Sequence, residues 1–267
     1  MKALQGKTIL VTGAGGGIGS AVAEEMARQG AHVLLVGRDA SMLEKVQARI
    51  AEHGGSAQVL VADLLVPDDR RRVVEVCLAL PGGLYGLVNN AGVNHFAWLE
   101  DQTETLLQSQ LHLNLVVPIL LVRALLPALR KEKCARIFNI GSTFGNIGYP
   151  GYTAYCASKF GLRGFSEALR RELAQTDTRV LYFAPRATNT TLNPEHVVAL
   201  NQELGNVMDA PDAVAQQAVS VFIKGAPYQY VVGWPESLFA RINAVLPRLV
   251  DKALGKQLAT IKKYTKS

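Results

Sequence analysis

Short aliphatic runs alternate along this chain with longer stretches in which apolar positions recur every three or four residues. The short runs predict strands at 7–12, 32–36, 57–61, 84–89, 135–140, 179–183 and 228–232. The helical period predicts helices at 17–29, 41–53, 67–79, about 103–130 and 154–174, the third opened by Pro67 near its first turn. Strands that take turns with helices of this length form βαβ units around a parallel sheet. Ile9-Leu10-Val11 and Val33-Leu34-Leu35-Val36 are apolar at every position, as a sheet covered on both faces requires. The pattern predicts a single α/β domain over residues 1–233, a doubly wound parallel sheet with helices on both faces.

Residues 234–267 add a basic amphipathic helical extension. Leu238, Ile242, Val245, Leu249 and Leu254 recur at helical spacing with Arg241, Arg248, Lys252 and Lys256 between them, and Pro247 predicts a break or kink. Such a segment can pack on the domain or a neighbouring subunit, which is the simpler outcome, or lie on an anionic membrane.

Composition narrows the class. With 49% hydrophobic and 19% charged residues, the 267-residue chain can bury a full core. The start of the chain runs into an apolar strand without signal-peptide features, and apolar runs such as 115–122 are shorter than the roughly 20 residues of a bilayer span. A soluble, cytoplasmic protein is expected. Cys77, Cys134 and Cys156 are odd in number and form no CxxC pair, so neither a disulfide framework nor a metal site is expected. The net charge of +6 suits phosphate-bearing ligands, although solvated side chains explain it more simply. No nucleic-acid recognition motif accompanies it.

The first strand ends in Thr12-Gly13-Ala14-Gly15-Gly16-Gly17-Ile18-Gly19, and a helix follows at once. Glycines at Gly13, Gly15, Gly16, Gly17 and Gly19 allow a tight turn and close backbone approach, while the helix start around Ile18 offers free N–H groups to a pyrophosphate. At the end of the second strand stand Gly37 and Arg38, so no carboxylate is placed to bind an adenosine ribose. Arg38 can instead make charge-assisted bonds to a 2′-phosphate, and Asp39 is expected to cap the next helix.

Tyr155 and Lys159 lie at i and i+4, on one helix face. Ser142 stands just beyond the fifth strand, and Asn114 lies inside a helical pattern, a poor place for an amide without a task. Reducing a ketone needs a proton donor for the oxygen as hydride reaches the carbon. Tyr155 suits that role if a cation at Lys159 lowers its pKa, Ser142 can bond the substrate oxygen, and Asn114 can hold a water that relays protons to Lys159.

These motifs, in order, resemble the short-chain dehydrogenase/reductase family in its form of about 250 residues, over roughly residues 5–232. The resemblance implies a Rossmann-like fold and an oxidoreductase that reduces a ketone or oxidises a secondary alcohol with NADP(H). It rests on the TGxxxGIG loop at Thr12 to Gly19, Asn89-Asn90-Ala91-Gly92 after strand four, and Asn114, Ser142, Tyr155 and Lys159 in register. It further implies that Asp63 and Leu64 contact adenine, that Asn90, Ala91 and Gly92 line the adenosine side, and that Lys159 binds the nicotinamide ribose. Pro185, Thr188 and Thr190 match the stretch beside the nicotinamide, and Arg38 sits where NADP-preferring members keep their arginine. Members are commonly dimers or tetramers built on the two long helices.

One position departs from the pattern. Arg186 replaces the glycine usual after Pro185, and can point to the pyrophosphate, to an acidic substrate group or to solvent. Phe144 and Tyr149, with Ile147 and Tyr152, are expected to wall a substrate pocket, as are Phe96 and Trp98. Apolar residues at 191–209 either cover that pocket or form the buried face of a helix. The pocket therefore suits a lipophilic or 3-oxoacyl-type substrate. A non-catalytic dinucleotide sensor, or an NAD-dependent alcohol dehydrogenase, are the alternatives; an intact catalytic set argues against the first.

Overall fold

The computed structural model describes residues 2–265. Seven strands, β1 (Thr8–Thr12), β2 (His32–Gly37), β3 (Ser56–Val61), β4 (Gly86–Asn89), β5 (Arg136–Ile140), β6 (Arg179–Ala184) and β7 (Gln229–Val231), form one parallel sheet in the order β3-β2-β1-β4-β5-β6-β7. Because successive side chains leave a strand on opposite faces, Ile9, Val11, Val33 and Leu35 enter one buried cluster while Leu10, Leu34 and Val36 enter another. Helices α1 (Gly17–Arg28), α2 (Ala40–Glu52) and α8 (Pro211–Lys224) contribute to the first cluster. Helices α3 (Pro67–Leu78), α5 (Val117–Leu129) and α6 (Thr153–Glu172) contribute to the second. Each such buried aliphatic side chain stabilises by roughly 1.5–3 kcal/mol, which explains strands with no polar face.

Strand order reverses between β1 and β4, so their carboxyl ends part and leave a crevice where ligands of such sheets bind. The glycine loop follows β1, and Asn90 follows β4, directly across that crevice.

Two elements differ from the expected pattern. The helix foreseen at 103–130 is α4 (Glu104–Leu111) and α5 joined by a π-helical turn, His112–Val116, centred on Asn114. As one run, Glu104–Leu129 is long and apolar enough to cross a bilayer, which inspection of separate apolar runs missed. Val117, Leu121, Val122, Leu125 and Leu129 are nevertheless buried against the sheet. Helix α8 was not foreseen, although Pro211 opens it and Gly225, at φ +66°, closes it.

Helix α7 (Glu195–Glu203) lies within the 191–209 segment. The extension forms α9 (Glu236–Val245) and α10 (Pro247–Tyr264), broken at Pro247 as expected.

Candidate active site

Tyr155 and Lys159 stand one turn apart near the start of α6. Lys159 is 5% exposed; its Nζ donates to the Ile140 carbonyl at the end of β5 (3.0 Å) and lies 5.7 Å from the centre of the Tyr155 ring. Ser142 follows β5 and caps a short turn, its Oγ accepting from the Phe144 N–H (3.1 Å). The Ser142 hydroxyl is placed so that it favours the Tyr155 phenolate. Burial outweighs that effect and pushes the Tyr155 phenol up to about 12, while burial pushes the Lys159 ammonium down to about 8. Desolvation dominates both groups, and further positive charge beside the phenol is needed to reverse it.

Asn114 is held by the π turn so that its amide meets the backbone of Val93 twice. Its Oδ1 accepts from the Val93 N–H (2.8 Å), and its Nδ2 donates to the Val93 carbonyl (2.8 Å) and to Ser158 Oγ (3.2 Å). Asn114 thus clamps the loop after Gly92 to α6, an anchoring role that the sequence did not suggest.

On the other side of the crevice, Gly13 takes φ +66°, which a side chain rarely tolerates. A Cβ at Gly19 would collide with the Gly13 carbonyl and the Asn90 amide, so this position admits no side chain. Asn90 Nδ2 donates to the carbonyls of Thr12 (3.0 Å) and Gly13 (3.2 Å), and Thr12 Oγ1 accepts from the N–H groups of Asn90 and Ala91 (3.0 Å each). These bonds tie β1 and β4 at the crevice floor. Gly16 caps α1 without any side-chain bond, leaving the first-turn amides near Gly15, Gly17 and Ile18 able to meet an anion.

Asp63 Oδ1 accepts from the Leu65 N–H (2.9 Å), which shapes the turn carrying buried Leu64. Arg38 is exposed at the end of β2, and Asp39 caps α2 by accepting from the Met42 N–H (3.1 Å), as expected. A Cβ on Gly17 would touch Thr190, so the 185–190 stretch reaches the glycine loop. The donor set and the open loop fit a dinucleotide.

A cavity of about 320 Å³ opens beside Tyr155, within the range of small-molecule sites. Ile18, Asn90, Gly92, Pro185, Thr188 and Thr190 border it toward the glycine loop, and Ser142, Tyr155 and Lys159 border its centre. Phe144 and Tyr149 stack at 4.9 Å and form part of its wall with Tyr152 and Ile147. Leu192, Val197, Leu200 and Val207 line it too, with Val197 and Leu200 both buried and facing the cavity. The two alternatives weighed for that segment therefore coincide.

Phe96 and Trp98 do not line the cavity. Phe96 packs behind the wall on Tyr152 (4.9 Å) and His196 (6.1 Å), and Trp98 joins the same cluster. Arg186 lines the cavity, and its internal partners were not among the three roles considered for it. Its guanidinium makes a bidentate pair with Asp209 (2.8 and 2.7 Å) and lies 3.5 Å from Glu236. A parallel bridge between Thr188 and Asp209 brings that carboxylate back from 23 residues away, a return that spacing cannot reveal.

Residues 7–199 match the family described as short chain dehydrogenase. The chain is a short-chain dehydrogenase/reductase. It is 38% identical over 226 residues to a 3-oxoacyl-[acyl-carrier-protein] reductase of Bos taurus, covering 83% of this chain and 92% of that protein. A metagenomic short-chain oxidoreductase solved in complex with NADP is 32% identical, with a TM-score of 0.74 over 86% of this chain and 97% of that one. A short chain dehydrogenase of Burkholderia cenocepacia, also solved in complex with NADP, is 30% identical, with a TM-score of 0.78 over 86% and 98%. The enzyme thus belongs to a family that binds a nicotinamide dinucleotide and acts on a carbonyl or alcohol carbon.

The family match ends before the last part of the enzyme's cavity wall. Glu236 and Phe239 of α9, with Val250, Ala253, Leu254 and Gln257 of α10, complete it. These residues were not foreseen in the site. The only sequence signal was the apolar stripe of the extension, which shows that something is covered and not what.

Proposed function

We propose that the enzyme is an NADP(H)-dependent carbonyl reductase, able in reverse to oxidise a secondary alcohol, whose substrate is a lipophilic ketone or a 3-oxoacyl-type compound. The observation that carries this reading is the placement of Tyr155, Ser142 and Lys159 on one side of an apolar cavity that opens toward the glycine loop. When bound, the nicotinamide supplies or accepts the hydride. Tyr155 then gives a proton to the carbonyl oxygen, and the Ser142 hydroxyl bonds that oxygen as negative charge develops. Lys159 holds the ribose and supplies positive charge near the phenol, while Asn114 fixes the loop that follows Gly92.

For the cofactor, Gly13 to Gly19 would take the pyrophosphate, Asp63 and Leu64 the adenine, and Asn90, Ala91 and Gly92 the adenosine side. Pro185, Thr188 and Thr190 would flank the nicotinamide. Support for NADP(H) over NAD(H) comes from exposed Arg38, which makes no hydrogen bond or ion pair among the described residues, and from the absence of a carboxylate at the end of β2. Two similar structures hold NADP. Support for the substrate class comes from the apolar wall and from the name of the bovine relative. A homo-oligomer fits exposed Leu106, Leu111, Val116 and Phe160 on the α4–α5 and α6 helices.

Titration of NADPH and NADH against protein fluorescence tests the cofactor. NADPH should bind tighter by about tenfold or more, about 1.4 kcal/mol, and Arg38→Ala should erase most of that margin. Equal affinities in the native enzyme would remove the NADP assignment.

A further inference from the structure

We propose that the corner between α9 and α10 docks on an anionic bilayer and sets the cavity beside the lipid surface. Trp234 and Val245 are 75% and 76% exposed, and Leu246 and Leu249 are each 54% exposed. Leu238, Arg241 and Val245 follow one another on α9 at spacings of three and four, so they share its outward side, and exposed Trp234 precedes that helix by two residues. On α10 the inward side is spent on the enzyme itself, with Val250 and Ile261 buried and Leu254 packed beside Val250. Leu249, Lys252 and Lys256 stand outward at i, i+3 and i+7.

Charge selects the occupant. Residues 234–267 hold seven Lys and Arg against only Glu236 and Asp251, so this segment carries +5 of the chain's net +6. Glu236 is turned inward to Arg186, and Arg241, Arg248, Lys252 and Lys256 have no ion-pair partner among the described residues. Exposed apolar residues interleaved with unpaired cations match a helix seated at the boundary of an anionic membrane. A symmetric contact between two copies through this corner would instead bring the same four cations together.

The apolar surface also reaches the cavity. Phe239 adjoins Leu238, lines the cavity and is itself exposed, as is Val207. Docking stands independently of catalysis; its use, direct passage of a lipophilic substrate from bilayer to Tyr155, rests on the function proposed above.

The enzyme carries its own reporter, because Trp234 and Trp98 are its two tryptophans and Trp98 lies in the aromatic cluster behind the cavity. In a full-length Trp98→Phe variant, Trp234 emission should shift to the blue on vesicles of phosphatidylcholine and phosphatidylglycerol. The protein should sediment with them about tenfold more than with phosphatidylcholine alone, and high salt should release it. Val245→Glu with Leu249→Glu should abolish both signals while leaving reduction of a short, water-soluble ketone intact.

Should Trp98→Phe fail to fold, co-sedimentation of the native enzyme against the double variant decides the same point. Equal partition of native and double variant overturns the proposal. So does a blue shift that grows with protein concentration without vesicles, which would make the corner a contact between copies. Vesicle binding without any ketone reduction would leave docking standing and sink the catalytic reading.

Discussion

Burial disfavours the charged form of both Tyr155 and Lys159, so their shifts have opposite signs. At pH 7 Lys159 is protonated both folded (about 8) and unfolded (10.5), so the folded state bears the full desolvation penalty. Between pH 8 and 10.5 the folded side chain is neutral while the unfolded one still binds a proton, and stability rises. Lys159→Met should therefore raise thermal stability at pH 7, on the order of 2 kcal/mol after losing the bond to Ile140, and the gain should fade by about pH 10. Calorimetry of both proteins across that range checks the sign, and a variant less stable at pH 7 would refute it. Tyr155→Phe should lower kcat by about two to four orders of magnitude while NADPH affinity holds, as loss of a proton donor demands.

At Arg186, Ala should destabilise by about 1–3 kcal/mol, because Asp209 is only 17% exposed and would lose both bonds. Lys at the same position should recover part of that, since it keeps the charge without the fork. Urea denaturation of the three proteins gives the order.

Among the elements, legibility followed locality. The alternating β and α periods, the glycine turn and the Asp39 cap are written within a few residues of where they act, and the structure reproduces them within one or two positions. The π turn at His112–Val116 left only one trace, an amide in an apolar helix. That trace pointed to Asn114 but not to Val93, because the bond spans 21 residues. Phe96 was misplaced for a similar reason. It lies near the crevice in sequence, but Tyr152 and His196 from distant elements draw it behind the wall. Asn114→Leu should strip the 93–94 loop of both side-chain bonds and destabilise by about 1–3 kcal/mol, measured by chemical denaturation. Hydrogen exchange at the Val93 amide should rise more than at the sheet strands.

At the scale of the molecule, the core sheet and the cavity draw on different parts of the chain. The sheet places Tyr155, Ser142 and the glycine loop, whereas α9 and α10 close the far wall through Phe239, Val250 and Leu254. A chain cut after Val232 should keep a cofactor site while its KM for long apolar ketones rises far more than for short ones. Equal rises for both would mean that the extension does not shape the substrate site.

Arg186 has a thermodynamic consequence as well as a structural one. One guanidinium joins the end of β6, where the cofactor's nicotinamide would lie, to Asp209 at the foot of the substrate segment and to Glu236 at the head of the extension. A ligand that moves any of these three stretches does work on the other two. Where both ligands displace these stretches, occupancy of the dinucleotide site and occupancy of the apolar cavity are coupled, and each then changes the other's affinity by the same factor.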